Sequence, residues 1–225
     1  MTLSPAKRII QALIIAVLMI AVFPVIQVHA DNTGEPAAFP TLSAFSRTVS
    51  NSSSDQITGV YVKDKFAVPV LQQPAGQAGY VSTTPESVTQ FAIANRFNTI
   101  GLLAHNYLAG AFFSQLQMGN IISLVYGDGE VQNFRITAIK RYQALSPNSP
   151  YSNFIDLSQP GITLSSNDLF YQTYGLGNVL ILQTCIAQGN ESSWGRLFVI
   201  AEPIHISSIS MISVHKRIST GLSVY

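Results

Sequence analysis

Cys185 is the single cysteine of this chain. A thiol is only a few per cent ionised at neutral pH, and the thiolate is the nucleophile. A reactive cysteine therefore needs a neighbour that takes its proton or stabilises its charge. His105 is such a group, and it follows a short apolar run, Thr99 to Ala104, just as Cys185 follows Asn178 to Thr184 (NVLILQT). Acyl transfer through sulfur also needs a donor for the tetrahedral oxyanion. Arg196 lies eleven residues beyond Cys185. A hairpin return would bring its guanidinium beside the sulfur, always charged and able to donate several hydrogen bonds.

Each of these residues has an ordinary reading when taken alone. A cysteine in an apolar strand is more often an inert core side chain. A lone histidine is more often a satisfied, partly buried ring, and a lone arginine a surface or ion-pair residue. The other titratable groups make no rival site. His205 and His215 read as structural or surface residues, His29 falls in the leader, and no spacing among them suggests zinc. Asp64, Glu86, Asp156, Asp168, Glu191 and Glu202 form no acid/base pair, and Asp128 reads as a turn residue. No metal and no cofactor are expected.

The elements that position these groups read as mostly β. Val60 to Val62 and Phe66 to Val70 form a strand pair or one bent strand, with Pro69 suited to an edge. Thr84-Pro85-Glu86 carries helix-start chemistry, with Val88, Phe91 and Ala92 as a buried stripe. Thr99 to Ala104 is a strand, and Ala109 to Gln117 a short helix. Ile121 to Tyr126 and Val131 to Tyr142 flank Gly127-Asp128-Gly129 as a hairpin. Residues 144–177 form a long connection rich in proline and glycine, and such loops are usually functional. Asn178 to Thr184 and Trp194 to Ala201 are further strands. Many strands and few helices indicate a β-barrel or a sandwich.

The N-terminus reads as an export signal. Lys7 and Arg8 precede the apolar stretch Ile9 to Phe23, and Val28-His29-Ala30 fits a cleavage site. An uncleaved membrane anchor is the alternative, because Ile9 to Val28 is almost long enough to span a bilayer. Either way the remainder is exported. Residues 31–56 read as a flexible linker, and 57–225 as the catalytic domain with 204–225 as a C-terminal extension. The net charge of +1 and 10% charged residues leave no basic field for nucleic acid. A lone cysteine outside the cytoplasm is inert, intermolecular or reactive.

The segment Ile181-Leu182-Gln183-Thr184-Cys185 (ILQTC) resembles the sortase signature T-L-x-T-C, with Ile181 in place of the threonine. Arg196 within WGRLFVIAE matches the arginine of that family. LLAHNYLAGAFFSQLQMGNII resembles the family's histidine segment, with Gly119-Asn120 where it has Gly-Asp. The resemblance spans roughly residues 57–203. It implies an eight-stranded sortase-like β-barrel with short helices and a long loop, 144–177, before the cysteine strand. It implies that Cys185 attacks a sorting-signal peptide to give a thioacyl-enzyme, and that His105 protonates the leaving amine. Arg196 would stabilise the oxyanion or position the substrate, and Thr184 would support substrate or oxyanion binding. An amine acceptor of the cell envelope would resolve the intermediate. The alternative is a catalytically inactive or hydrolytic domain of the same fold. Asp128 and Glu130 are too sparse for the calcium site that some members of the family carry.

An L,D-transpeptidase places histidine and cysteine within one short Ser-His-Gly-Cys type segment, and no such segment exists here. Papain-like enzymes place cysteine before histidine, the reverse of the order found.

Overall fold

The computed structural model describes residues 38–205. The expected leader, the first part of the expected linker and the extension beyond His205 lie outside the described residues. Among the described residues no helix is long and apolar enough to cross a membrane.

Part of the expected linker is folded. Helix α1 (Leu42–Val49) begins at Thr41, whose hydroxyl accepts the Ala44 N–H at 3.1 Å, the usual N-cap arrangement. Phe45 is its buried residue and packs on Tyr61 and Val125. Glycine at position 59 permits this approach, since a Cβ there would lie 2.8 Å from the Phe45 ring. Phe45, flanked by the partly buried Leu42 and Val49, holds the helix, and the surrounding Ser, Thr and Asn residues disguise it as linker.

Ten strands follow: β1 (Ile57–Val62), β2 (Phe66–Gln72), β3 (Val88–Gln90), β4 (Ile100–Leu103), β5 (Ile121–Tyr126), β6 (Val131–Ala144), β7 (Phe154–Asp156), β8 (Thr163–Leu164), β9 (Leu180–Gln188) and β10 (Glu191–Pro203). Their order is β10-β9-β4-β3-β2-β1-β5-β6-β7-β8, and β10 also pairs with β6. That last pairing closes eight strands into a barrel and leaves β7 and β8 outside it. Closure removes the free edges of the eight barrel strands, and the short β8 keeps the one open edge of the described sheet. The barrel is therefore the outcome, rather than a sandwich. Most pairs are antiparallel; β2–β3 and β4–β9 are parallel. Pro69 sits in β2 ahead of Val70, where pairing with β3 begins, so its missing N–H interrupts no ladder on that side.

Alternation along the strands sorts the side chains. Leu102, Leu124, Leu180, Leu182 and Val199 point inward and are fully buried. Each such side chain contributes about 1.5–3 kcal/mol over its exposed state. Residues of the opposite parity, Ile181, Phe198 and Ile200, form a second apolar layer on the outer wall. The connection after β6 covers that layer. Its residues Phe154, Leu169 and Tyr174 pack there, so the expected long loop is in fact β7, β8 and a helix, α3 (Ser166–Tyr174). Ser165 and Asp168 cap α3 reciprocally, a complete capping box.

The helix expected from Thr84 does not form. Val88–Gln90 is strand β3, followed by a 3-10 helix over Ala92–Phe97. The Ser87 hydroxyl donates to the Thr84 carbonyl at 2.8 Å, and Glu86 has a positive φ of 51°. Thr-Pro-Glu therefore makes a turn here; proline favours the first position of a turn as readily as that of a helix. The expected helix 109–117 shortens to α2 (Gly110–Phe113). Ala109, Phe113 and Leu116 plug one end of the barrel as part of its inner core.

Candidate active site

The plugged end of the barrel is where the candidate residues meet. β9 runs past β4, so Cys185 lies within a strand rather than at its end. Arg196 of β10 is its direct antiparallel partner. Partners in an antiparallel ladder share a face. The neighbouring pair Phe198↔Gln183 has Phe198 in the outer layer, whereas Leu197↔Thr184 has Leu197 in the inner core. Cys185 and Arg196 therefore face outward. Both are partly exposed.

His105 reaches this level from the other side of β9. β4 and β9 are parallel, with Leu103 opposite Gln183. The Ala104 N–H donates to the Gln183 carbonyl at 3.2 Å, one residue beyond the ladder. His105 then leaves the strand beside Thr184 and Cys185. Its carbonyl accepts the N–H groups of Leu108 and Gly110, both at 3.0 Å, which curls the chain into α2. Its ring stacks on Tyr107 with centroids 5.1 Å apart.

A bulge in β10 anchors both flanks of the site. The four-residue step from Glu191 to Gly195 lies opposite the two-residue step from Gln188 to Ile186. The carbonyls of the extra residues are thereby free of the ladder. The Asn106 side-chain amide donates to the Ser192 carbonyl at 2.9 Å, which ties the His105 turn to the β9–β10 hairpin. The Arg196 guanidinium donates to the carbonyls of Ser193 and Gly195, each at 2.9 Å, and to that of Pro147 at 3.4 Å. It also lies 5.8 Å from the Phe154 ring centroid, within cation–π range. Arg196 thus joins β10 to the connection that covers the outer wall.

Thr184 lies on the opposite face from Cys185 and is buried, 4% exposed. Its Oγ1 has no hydrogen-bond partner among the described residues. The hydroxyl presses against Gly110, where a Cβ would collide with it and with the His105 and Ala104 carbonyls. Its side chain therefore braces the His105 turn from inside the barrel.

The sequence reasoning missed three groups around the site: Asn106, Pro147 and the pair Tyr174–Gln183. The Tyr174 hydroxyl donates to the Gln183 side-chain carbonyl and so fastens α3 to β9 two residues before Cys185. Burial pushes the Tyr174 phenol far above its usual range, so it remains a donor. The Ser165-x-x-Asp168 capping box was a readable signal for α3. Nothing in sequence spacing pointed to Asn106 or Pro147. Among the described residues no group of three or more His, Cys, Asp or Glu side chains could hold a metal ion.

Fold and site together define a closed eight-stranded barrel with an outward-facing cysteine–arginine pair. No family model matches the chain, and no curated protein sequence matches it. Solved structures similar to it are sortases. Sortase C from Clostridium perfringens SM101 is 12% identical, with 72% of this chain and 82% of that chain covered and a TM-score of 0.41. A lid mutant of sortase A from Corynebacterium diphtheriae is 11% identical, covering 76% and 80%, with a TM-score of 0.42. Clostridium perfringens sortase C with its C-terminal cell wall sorting motif is 15% identical, covering 69% and 75%, at 0.42. At such identities the likeness is one of strand arrangement and assigns neither chemistry nor residues.

Proposed function

We propose that the chain is a sortase-type cysteine transpeptidase acting at the cell envelope. The observation that carries this reading is the register Cys185↔Arg196, with His105 delivered to the same level by the parallel strand β4. The ILQTC segment, which resembles the family signature, supports it. Cys185 Sγ attacks the carbonyl of a sorting-signal peptide, and the amide nitrogen leaves with a proton from His105. Arg196 steadies the oxyanion or the substrate. Thr184, buried on the face opposite Cys185, supports substrate or oxyanion binding only indirectly, as a positioning residue through Gly110 and the His105 turn. An amine acceptor then attacks the thioacyl carbon, passes its proton to the now neutral His105, forms a new amide and releases the thiolate. Charge stabilisation of the tetrahedral intermediate is the dominant requirement of such a step. The N-terminal segment would export the domain and either be removed or remain as its membrane anchor.

One observation favours the alternative, a catalytically inactive or hydrolytic domain. Three of the five Arg196 N–H donors already serve backbone carbonyls, which leaves only two for an oxyanion. The test is incubation of the full chain with a panel of sorting-signal peptides, with and without an added amine such as triglycine. Transpeptidation gives a Cys185 thioacyl adduct by intact mass and a ligated product when the amine is present. Release of hydrolysed peptide only, whatever the amine, identifies a hydrolase. No adduct and no product identifies the inactive domain.

A further inference from the structure

The opposite end of the barrel carries a second concavity with different chemistry. β4 and β9 enter the barrel there, with Ile100 paired to Leu180. The strand from Ile100 to His105 is about 17 Å long at the usual rise per residue, so this end is well separated from the thiol. The cavity there has a volume of about 290 Å³.

Four carboxamide residues line it: the exposed Asn95 and Asn98 from the 3-10 helix and its C-cap, the half-buried Gln132 from β6, and the exposed Asn178 from the turn into β9. Among the described residues no charged side chain lines it. Asn98 and Asn178 both hold left-handed backbone, with φ of 53° and 50°. The Asn178 N–H donates to the Asn98 carbonyl, which locks the two turns together. Gln132 accepts the Tyr126 hydroxyl at 3.0 Å, leaving its own NH2 group as a donor. Turn chemistry explains an asparagine at positive φ. It does not explain four carboxamide residues from three segments lining one space.

A carboxamide offers both donors and an acceptor, which is what a hydroxyl demands of its partner. Between the amides, Ile100, Tyr126 and Val179 supply an apolar wall. Absence of charge in the lining disfavours phosphates, carboxylates and metal ions. A neutral sugar ring has the matching character, with hydroxyls at its rim and C–H groups on its face. The volume sits at the small end of small-molecule pockets, about 300 Å³, so it suits one ring rather than a chain. We propose that this cavity binds one residue of a neutral saccharide, independently of the chemistry at Cys185.

The test is a titration of the isotopically labelled full chain with N-acetylglucosamine and with glucose, read by amide chemical shifts. Saturable shifts at Asn98, Ile100, Gln132 and Asn178, with Cys185 unmoved, are expected for at least one sugar. Asn98→Gly and Asn178→Gly remove the carboxamide while keeping a residue suited to the left-handed backbone. Each is expected to weaken binding about tenfold, the weight of one lost hydrogen bond, and Gln132→Ala does the same without touching a turn. Three results overturn the proposal: no saturable shift with either sugar, undiminished binding in all three variants, or equally strong saturation by triglycine, which marks a peptide site.

Discussion

Cys185 and Arg196 are direct partners across the β9–β10 ladder, on the outer wall of the barrel. The two side chains therefore stand side by side on one face of the ladder. The pairing also explains the eleven-residue spacing: the hairpin and the bulge beyond Glu191 take up the intervening chain.

His105→Ala is expected to lower peptide turnover by about 10²–10⁴-fold, the usual weight of a positioned acid–base group. The ring's recorded packing partner is the exposed Tyr107, so the thermal midpoint should hardly move. Steady-state kinetics beside a melting curve checks both halves. Near-normal turnover would count against the role assigned to His105.

Arg196→Lys preserves the charge but not the fork. It loses the simultaneous bonds to Ser193, Gly195 and Pro147. A stability loss of about 1 kcal/mol is expected in urea unfolding, at the scale of one net hydrogen bond. Acyl-enzyme formation should fall more steeply than stability does, because lysine is not equivalent at a site that needs a planar donor pair.

Thr184 and Gly110 should respond in opposite directions. Thr184→Val replaces a buried hydroxyl without a partner, so stability should hold or rise by about 1 kcal/mol. Gly110→Ala places a methyl group against that hydroxyl and the His105 carbonyl. It should cost about 1–3 kcal/mol as an overpacked site, and it should slow turnover by shifting the His105 turn. Paired urea melts and rate measurements on the two variants check this.

Asp156 supplies a pH signature at the edge of the outer layer. Burial by itself raises its carboxyl; hydrogen bonds from the Ser158 side chain and backbone and from the Gln159 backbone, with the Lys140 charge, outweigh this and hold it below the usual carboxylate range. A group lowered in the folded state adds stability above its unfolded pKa, about 3.9, and that stability is lost as pH falls through the lower folded value. The midpoint difference between the parent and Asp156→Asn should therefore be constant above about pH 5 and shrink below about pH 4. A difference unchanged down to pH 2 would contradict it.

How much of this was legible in the sequence depends on the kind of signal each element carries. The β5–β6 hairpin was readable because Gly127-Asp128-Gly129 satisfies a turn between two runs of β-favouring residues; Gly129 indeed has a φ of 90°. The apolar run to Thr184 announced β9. Helix α1 was hidden because it buries only Phe45 fully, with Leu42 and Val49 partly buried beside it, among polar neighbours. The turn at Thr84–Glu86 was misread because proline and a hydroxyl residue open turns and helices alike. The 144–177 connection looked loose because its strands have three and two residues, too short to show a period. At the site, the ladder makes Cys185 and Arg196 backbone partners. The anchors Asn106 and Pro147 were invisible, since each acts through a contact made across the folded chain.

The most direct test of the central claim is alkylation of the folded, full-length chain with iodoacetamide at neutral pH, followed by intact mass. The account predicts modification of Cys185 without unfolding, at a rate that drops about tenfold in His105→Ala once the partner of the thiol is gone. A thiol that reacts only after denaturant is added, or at the same rate with and without His105, contradicts it.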